Sequence, residues 1–376
     1  MNLKGKINLS LMIGPAVAVP VPRAIIDALT SVEVKITTEG HSGFTLAFSF
    51  SSRSPLNNLL LLLANAGPVI RVIILATIKG STTVLMDGTI SEQQISADAQ
   101  TGQTNLTING TDLTGVMNLV DLTGFPYPCM PAEARVALIV ARYAMFGIIP
   151  MVIPSVFFEV PIITESIPVQ EGKDFEYITK LATDVGYVFY IDPGPVAGMN
   201  IAYWGPEIKV GIPQSPLNVN MDALTNVESL SFSFDGSKRV LPIVFIQNEE
   251  TKVPIPIPIP DISPLNPPLG LVPAIPSNVK MMDNTANLKP VRAIALGLAE
   301  AAKTSEVVSG TGSLDVVRYG GILKARSLVS VRGAGEPFDG LYYVKSVTHK
   351  IQRGEYKQDF ALTRNGLMST IPKVPV

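Results

Sequence analysis

Cysteine occurs once in this chain of 376 residues, as Cys129, and histidine twice, as His41 and His349. A lone cysteine excludes an internal disulfide framework and suits folding in a reducing compartment. Neither histidine has a second histidine or a cysteine at ligand spacing, so a zinc site is not expected. Charge is scarce: Asp, Glu, Lys and Arg make up 16% of the residues, against about 25% in an average soluble protein. The net charge of -2 gives no electrostatic reason to expect nucleic acid or anionic lipid as partner. Long apolar runs are missing as well. A spanning helix needs about 20 mainly apolar residues, and the best candidate, residues 59–76, is broken by Asn65, Gly67-Pro68 and Arg71. Stable membrane insertion is therefore not expected. Residues 1–28 place Lys4 and Lys6 ahead of an apolar stretch, as a signal peptide does. Gly14-Pro15, Pro20 and Pro22 interrupt that stretch and no small-x-small cleavage site follows, so it reads as mature sequence without a signal peptide.

The common catalytic signatures are also lacking. No Gly-x-x-x-x-Gly-Lys-Ser/Thr loop occurs. Gly310-Thr-Gly312 and Gly333-Ala-Gly335 lack the third glycine and the strand-turn-helix setting of a dinucleotide loop, and read as ordinary turns. Gly-x-Ser-x-Gly is absent, and His349 falls mid-strand, where a packed or hydrogen-bonded residue is expected rather than a catalyst. Asp222, Glu228 and Asp235 carry no signature of a paired-carboxylate site and read as turn and surface residues. Cys129, between Pro128 and Met130, reads as a small apolar filler. No catalytic, cofactor-binding or metal-ligating residue is assigned, and no cofactor is expected.

What the chain does have is apolar surface and proline. Hydrophobic residues make up 47% of it and proline occurs 31 times; the mean hydropathy is +0.33. Without a spanning helix, that composition suits a subunit that buries much of its surface against other chains. Three segments differ in pattern. Residues 1–115 alternate with period two at 32–38 and 44–50, turn at Lys79-Gly80-Ser81 and Asp87-Gly88, and resume at 90–96 and 104–108, about six short strands in all. Ser54-Pro55 offers a helix start ahead of 59–63. Residues 116–230 carry the best helix, 130–145, with Gly147 as its cap, and a second over 174–185 that leads through Gly186 into a strand at 187–191. Residues 231–376 return to strands, with a helix at 291–303 and further strands at 314–319 and 328–331. They include a proline-rich insertion at about 250–282 whose Val253-Pro-Ile-Pro-Ile-Pro-Ile-Pro260 core can join neither a helix nor a central strand. The isoleucines favour a surface strap over a solvated linker.

The chain closes on a hairpin, Leu341-Tyr-Tyr-Val-Lys-Ser-Val-Thr-His349 followed by Lys357-Gln-Asp-Phe-Ala-Leu-Thr-Arg364. Tyr342 and Tyr343 point to opposite sides of one strand, so at least one ring should meet a partner domain or subunit. Tyr343 and the Tyr203-Trp204 pair are the candidate interface anchors, since aromatic residues are enriched at such sites. Trp204 reads as a core or interface anchor before a sugar platform.

These closing motifs, with Leu11-Met-Ile-Gly-Pro15, Gly110-Thr-Asp-Leu-Thr114, Phe125-Pro-Tyr-Pro128, Pro131-Ala-Glu-Ala-Arg135, Tyr203-Trp-Gly-Pro-Glu207 and Ile262-Ser-Pro-Leu-Asn-Pro-Pro-Leu-Gly270, resemble the baseplate hub proteins of contractile injection systems. That family includes the myophage tail-hub proteins and the hub half of the type VI spike protein, and the resemblance spans most of the chain. It implies a β-dominated α+β fold, with two β-barrel domains flanking an α+β domain and a proline-rich strap. It also implies a homotrimer that adapts a sixfold inner tube to a threefold spike, with spike, inner tube and baseplate components as partners. Such a protein is not an enzyme, is assembled in the cytoplasm as part of a phage tail-like particle, and leaves on contraction. The alternative is a secreted cell-wall-degrading component of the same particle, but no lysozyme-like domain is recognisable.

Overall fold

The computed structural model describes residues 2–3, 7–51, 69–98, 103–155, 161, 167–247, 251, 253–260, 267–283 and 285–370. The fold is β-dominated, with 49% strand and 19% helix. In the first segment β1 (Ile7–Gly14), β2 (Leu29–Thr37), β3 (Gly43–Ser51), β4 (Arg71–Ile78), β5 (Ser81–Asp98) and β6 (Gln103–Asp112) pair in the order β1-β4-β5-β6-β3-β2. Period two does the work: in β3, Phe44, Leu46, Phe48 and Phe50 point inward while Thr45, Ala47 and Ser49 face the other way. The helix expected over 59–63 lies outside the described residues.

In the last segment β16 (Val308–Asp315), β17 (Leu328–Arg332), β18 (Gly340–Gln352) and β19 (Glu355–Arg364) are joined by two earlier strands, β10 (Gln214–Asn218) and β11 (Ser229–Phe234). They pair in the order β10-β17-β18-β19-β16-β11. The two halves form one continuous sheet. The second part of β18 pairs antiparallel with β2, from Ser346 opposite Thr37 to Gln352 opposite Ser31. One apolar core accordingly runs through both, from Leu9, Leu46 and Leu106 to Val344, Val347, Phe360 and Leu362. Among the described residues no sheet closes on itself, so the ladders do not complete the barrel expected of each half.

The middle segment has its own core. Helices α1 (Ala132–Ala141) and α2 (Asp174–Thr183) pack on a three-stranded sheet ordered β8-β9-β7, made of β7 (Ile148–Val152), β8 (Val188–Pro193) and β9 (Asn200–Gly205). Gly147, at φ +71°, ends the turn after α1 as a left-handed cap. In the proline-rich insertion, β13 (Pro254–Pro258) is an edge strand on β12 (Val240–Gln247), with β15 (Asn278–Met281) on the other side and α3 (Pro290–Thr304) packed against the sheet, while β14 (Gly270–Pro273) pairs antiparallel with residues 366–369. Ile255 and Ile257 lie opposite Ile246 and Val244 and keep their N–H groups for the ladder. The alternating prolines strip N–H donors from the outer edge alone, which is why so many prolines fit in a strand.

Four sequence expectations are corrected. Asp87-Gly88 is not a turn but lies inside β5, one 18-residue strand where two were expected. A Cβ on Gly88 would come within 2.1 Å of Thr111 O, so glycine is required there by the close approach of β6. Gly310 and Gly312 likewise lie inside β16, beneath the rings of Phe232 and Phe360. The strand expected over 314–319 ends at Asp315, whose carboxylate accepts the N–H groups of Val317 and Arg318 and starts a single helical turn, Val316–Tyr319. Cys129 is not a filler: it is exposed, at φ +55°.

A Cβ on Gly310 would stand 2.6 Å from the Phe232 ring. Gly310→Val should therefore cost about 1–3 kcal/mol by overpacking, read as a lowered urea midpoint; an unchanged midpoint contradicts this packing.

Candidate functional site

The polar side chains that connect distant parts of the chain gather at the seams between its segments. Arg71 on β4 and Asp87 on β5 form a bidentate pair, Nε to Oδ1 at 2.7 Å and Nη2 to Oδ2 at 2.6 Å, with both residues buried. The same guanidinium donates to Ala16 O (2.9 Å) and, across the seam, to Phe146 O (2.7 Å) and Gly198 O (3.2 Å) of the middle segment. Asn200 Nδ2 completes the joint by donating to Asp87 Oδ2 at 2.8 Å. Sequence reasoning took Arg71 only as a break in an apolar run and Asp87 as a turn residue. An arginine and an aspartate each set among strand-forming apolar residues was the available signal.

A second cluster ties all three segments together. Arg326 lies 4.1 Å over the ring of Tyr190, pairs with Asp192, and donates to Thr37 O at 2.5 Å. Lys209 Nζ sits 3.0 Å from Glu207 and 2.7 Å from Glu306, and Lys345 Nζ lies 2.8 Å from Glu306 and 2.7 Å from Glu39. Burial works to raise the Glu306 carboxyl, but Lys209 and Lys345 outweigh it and hold it below the usual carboxylate range. Burial likewise opposes the charge on Lys209, and Glu207 and Glu306 overcome it. For Asp192 the balance falls the other way: burial raises its carboxyl despite Arg326.

The three aromatic anchors singled out from sequence border this seam or the adjoining core. Tyr203 stacks on Tyr190 with centroids 5.0 Å apart and donates from its hydroxyl to Pro206 O. Tyr343 lies beneath Lys209, whose Nζ is 5.3 Å from the ring centre. Trp204 packs edge-on to Tyr187 inside the middle core. All three are buried within the chain, at 6%, 3% and 0% exposure. The large apolar residues that do face outward lie elsewhere, Ile212 and Ile275 most fully.

Among the described residues no catalytic grouping assembles around those weighed for chemistry. His349 is buried beside Tyr356, Nδ1 to Oη 2.8 Å, with Gln358 Nε2 at 3.3 Å. Glu228 pairs with Lys357 at the surface, and Asp222 and Asp235 sit in turns. Among the described residues there is no group of His, Cys, Asp and Glu that could hold a metal ion, and no helix long and apolar enough to cross a membrane.

No protein-family profile and no curated protein matches this sequence. Solved structures do match its fold. A tail protein from Neisseria meningitidis MC58 aligns over 96% of this chain and 98% of its own, at 12% identity and a TM-score of 0.61. The 43 kDa tail protein of prophage MuSo2 from Shewanella oneidensis aligns with the same coverage and identity at a TM-score of 0.62. A chain of the lidded Francisella PdpA–VgrG complex aligns over all of this chain and 55% of its own, at 9% identity and a TM-score of 0.59. The chain thus has the fold of phage tail proteins and of a VgrG complex component.

Removing one partner of the Arg71–Asp87 pair strands a buried charge. Arg71→Met should cost about 3–5 kcal/mol in urea unfolding, and Arg71→Met with Asp87→Leu should regain most of it; equal losses in single and double variants contradict the pairing. Burial pushes His349 down to about 3 from 6.5. Between those values the unfolded chain binds the proton and the folded chain does not, so stability falls as pH falls through that window, by up to about 1.4 kcal/mol per pH unit. His349→Gln should flatten this part of an acid-unfolding curve; an unchanged curve contradicts the burial.

Proposed function

We propose that this chain is the structural hub of a contractile injection system baseplate, a homotrimer that adapts a sixfold inner tube to a threefold spike. The observation that carries this reading is the repeated strand order of the two halves of the sheet. Two similar β units per chain and three chains supply six similar units for the tube, while the trimer itself supplies the threefold axis for the spike. In this reading residues 1–115, 116–230 and 231–376 correspond to a first β-barrel unit, an α+β unit and a second β-barrel unit that also takes in β10 and β11.

The fold shared with tail proteins supports a place in a phage tail-like particle, assembled in the cytoplasm and delivered outward on contraction. Its partners are further copies of itself, the spike protein, the inner tube proteins and other baseplate components. The low charge and outward apolar residues support large contacts with these partners, because obligate interfaces are more hydrophobic than transient ones. The work of the protein in this reading is mechanical. The Arg71 joint and the Arg326–Lys209 cluster hold its units in one arrangement while load passes from tube to spike.

Native mass spectrometry of the purified chain should give a species of three copies. A monomer at every concentration, or release of soluble fragments from purified peptidoglycan by this chain, contradicts the reading.

A further inference from the structure

The two halves repeat one strand order, with one difference of direction: β1 runs antiparallel to β4, and β10 runs parallel to β17. In the order across the sheet, β1, β4, β5, β6, β3 and β2 of the first match β10, β17, β18, β19, β16 and β11 of the second. β5 and β18 are the long strands at equivalent places. The first part of each pairs with the strand before it in this order, β4 or β17. The second part of each pairs with its hairpin partner, β6 or β19, and a register shift marks the changeover, between Ile90 and Glu92 in β5 and between Val344 and Ser346 in β18.

The equivalence also breaks along the long strands. The second part of β18 has a further neighbour, β2. Its counterpart, residues 92–98 of β5, has β6 on one side and no described strand on the other. The counterpart of β2 is β11, and it too has a single described neighbour, β16. Among the described residues, each chain therefore carries both halves of a joint that it makes once internally and leaves unmade at two edges.

We propose that residues 92–98 of one copy pair antiparallel with β11 of a second copy, repeating between copies the ladder that β18 and β2 form within the chain. This rests on the trimeric reading above and names the strands that build it. Aligning the two register shifts equates Ser346 with Glu92, and following the ladders strand by strand equates Glu33 with Ser231. The internal pairs Val347 with Ile36, His349 with Val34 and Lys350 with Glu33 become Gln93 with Phe234, Ile95 with Phe232 and Ser96 with Ser231.

Three independent features fit this register. Asp235 N–H donates to Val307 O, which sets the phase of β11, so the N–H and C=O groups of Leu230, Phe232 and Phe234 face its open side. These are the counterparts of the β2 residues that bond β18, as the bond from Thr38 N–H to Lys345 O shows. Next, Ile95 and Phe234 are large apolar residues left 54% and 45% exposed in the single chain, and the pairing covers both. Last, the edges of the small sheets carry proline, Pro150 in β7 and Pro254, Pro256 and Pro258 in β13. Residues 92–98 and β11 contain neither proline nor lysine, the residues that block strand addition. A head-to-tail contact between two different surfaces closes into a ring when its rotation allows.

The test uses the full chain with Cys129→Ser, carrying Ser96→Cys and Ser231→Cys, which face each other in a pair without backbone hydrogen bonds where Cβ atoms lie about 4.5–5.5 Å apart. Mild oxidation should yield a covalent species of three chains. Either cysteine alone, or Ser96→Cys with Ser233→Cys, two residues out of register, should yield at least tenfold less. In the cysteine-free background Ile95→Lys should abolish the oligomer while leaving the circular dichroism spectrum unchanged, since that side chain is exposed in the single chain, and the urea midpoint should lose its dependence on protein concentration. A native trimer that fails to cross-link, or that cross-links equally out of register, overturns the strand assignment and leaves the trimeric hub standing. A monomer in the absence of any substitution overturns both.

Discussion

A strand at the edge of a sheet leaves alternate N–H and C=O groups without partners, and these groups must be paired, covered or removed. Much of this chain's architecture follows from how it meets that constraint. From Tyr343 onward β18 is paired on both sides, with β17 and then β2 on one side and β19 on the other. Because that one strand belongs to both halves, the first and last thirds of the chain share a sheet and a core instead of packing as separate bodies. The small sheets meet the same constraint by losing donors, through alternate prolines in β13 and Pro150 in β7. Among the described residues neither solution is used at 92–98 and β11, which leaves backbone able to pair with a neighbour.

The scarcity of charge takes on meaning against this frame. Several of the few charged residues are concentrated at seams: Arg71 with Asp87 between the first and middle segments, and Arg326, Lys209, Lys345 and Glu306 where all three meet. Burying such pairs brings a desolvation cost that their hydrogen bonds roughly offset, so they add little to stability outright. What they do is penalise any other arrangement of the segments, since a shifted seam would leave a buried charge without its partner. A rigid, singly defined arrangement is what the proposed role between tube and spike requires.

Much of the fold was legible in the sequence because its strands obey period two and its helices carry apolar stripes. Phe44, Leu46, Phe48 and Phe50 announced β3, and Phe175, Ile178, Leu181 and Ala182 announced α2. Two of the misreadings share one cause. Asp87-Gly88 and Gly310-Thr-Gly312 look like turns because glycine permits turns, yet here glycine admits a neighbouring carbonyl or aromatic ring at a distance no Cβ could tolerate. That requirement comes from a residue far away in the sequence, so local reading cannot supply it. The seams were illegible for the same reason: Arg71 and Phe146, or Arg326 and Thr37, meet only after the sheet forms. Tyr203, Trp204 and Tyr343 were singled out by residue type alone, and within the single chain all three are buried.

The central claim is that three copies of this chain form one ring by repeating a joint already present inside each copy. Cryo-electron microscopy of the assembled particle tests it most directly. The account predicts three copies between inner tube and spike, with strand density running without a break from β11 of each copy into residues 92–98 of the next. A ring of any other number, a position on the sheath, or a gap of solvent between those two strands would contradict it.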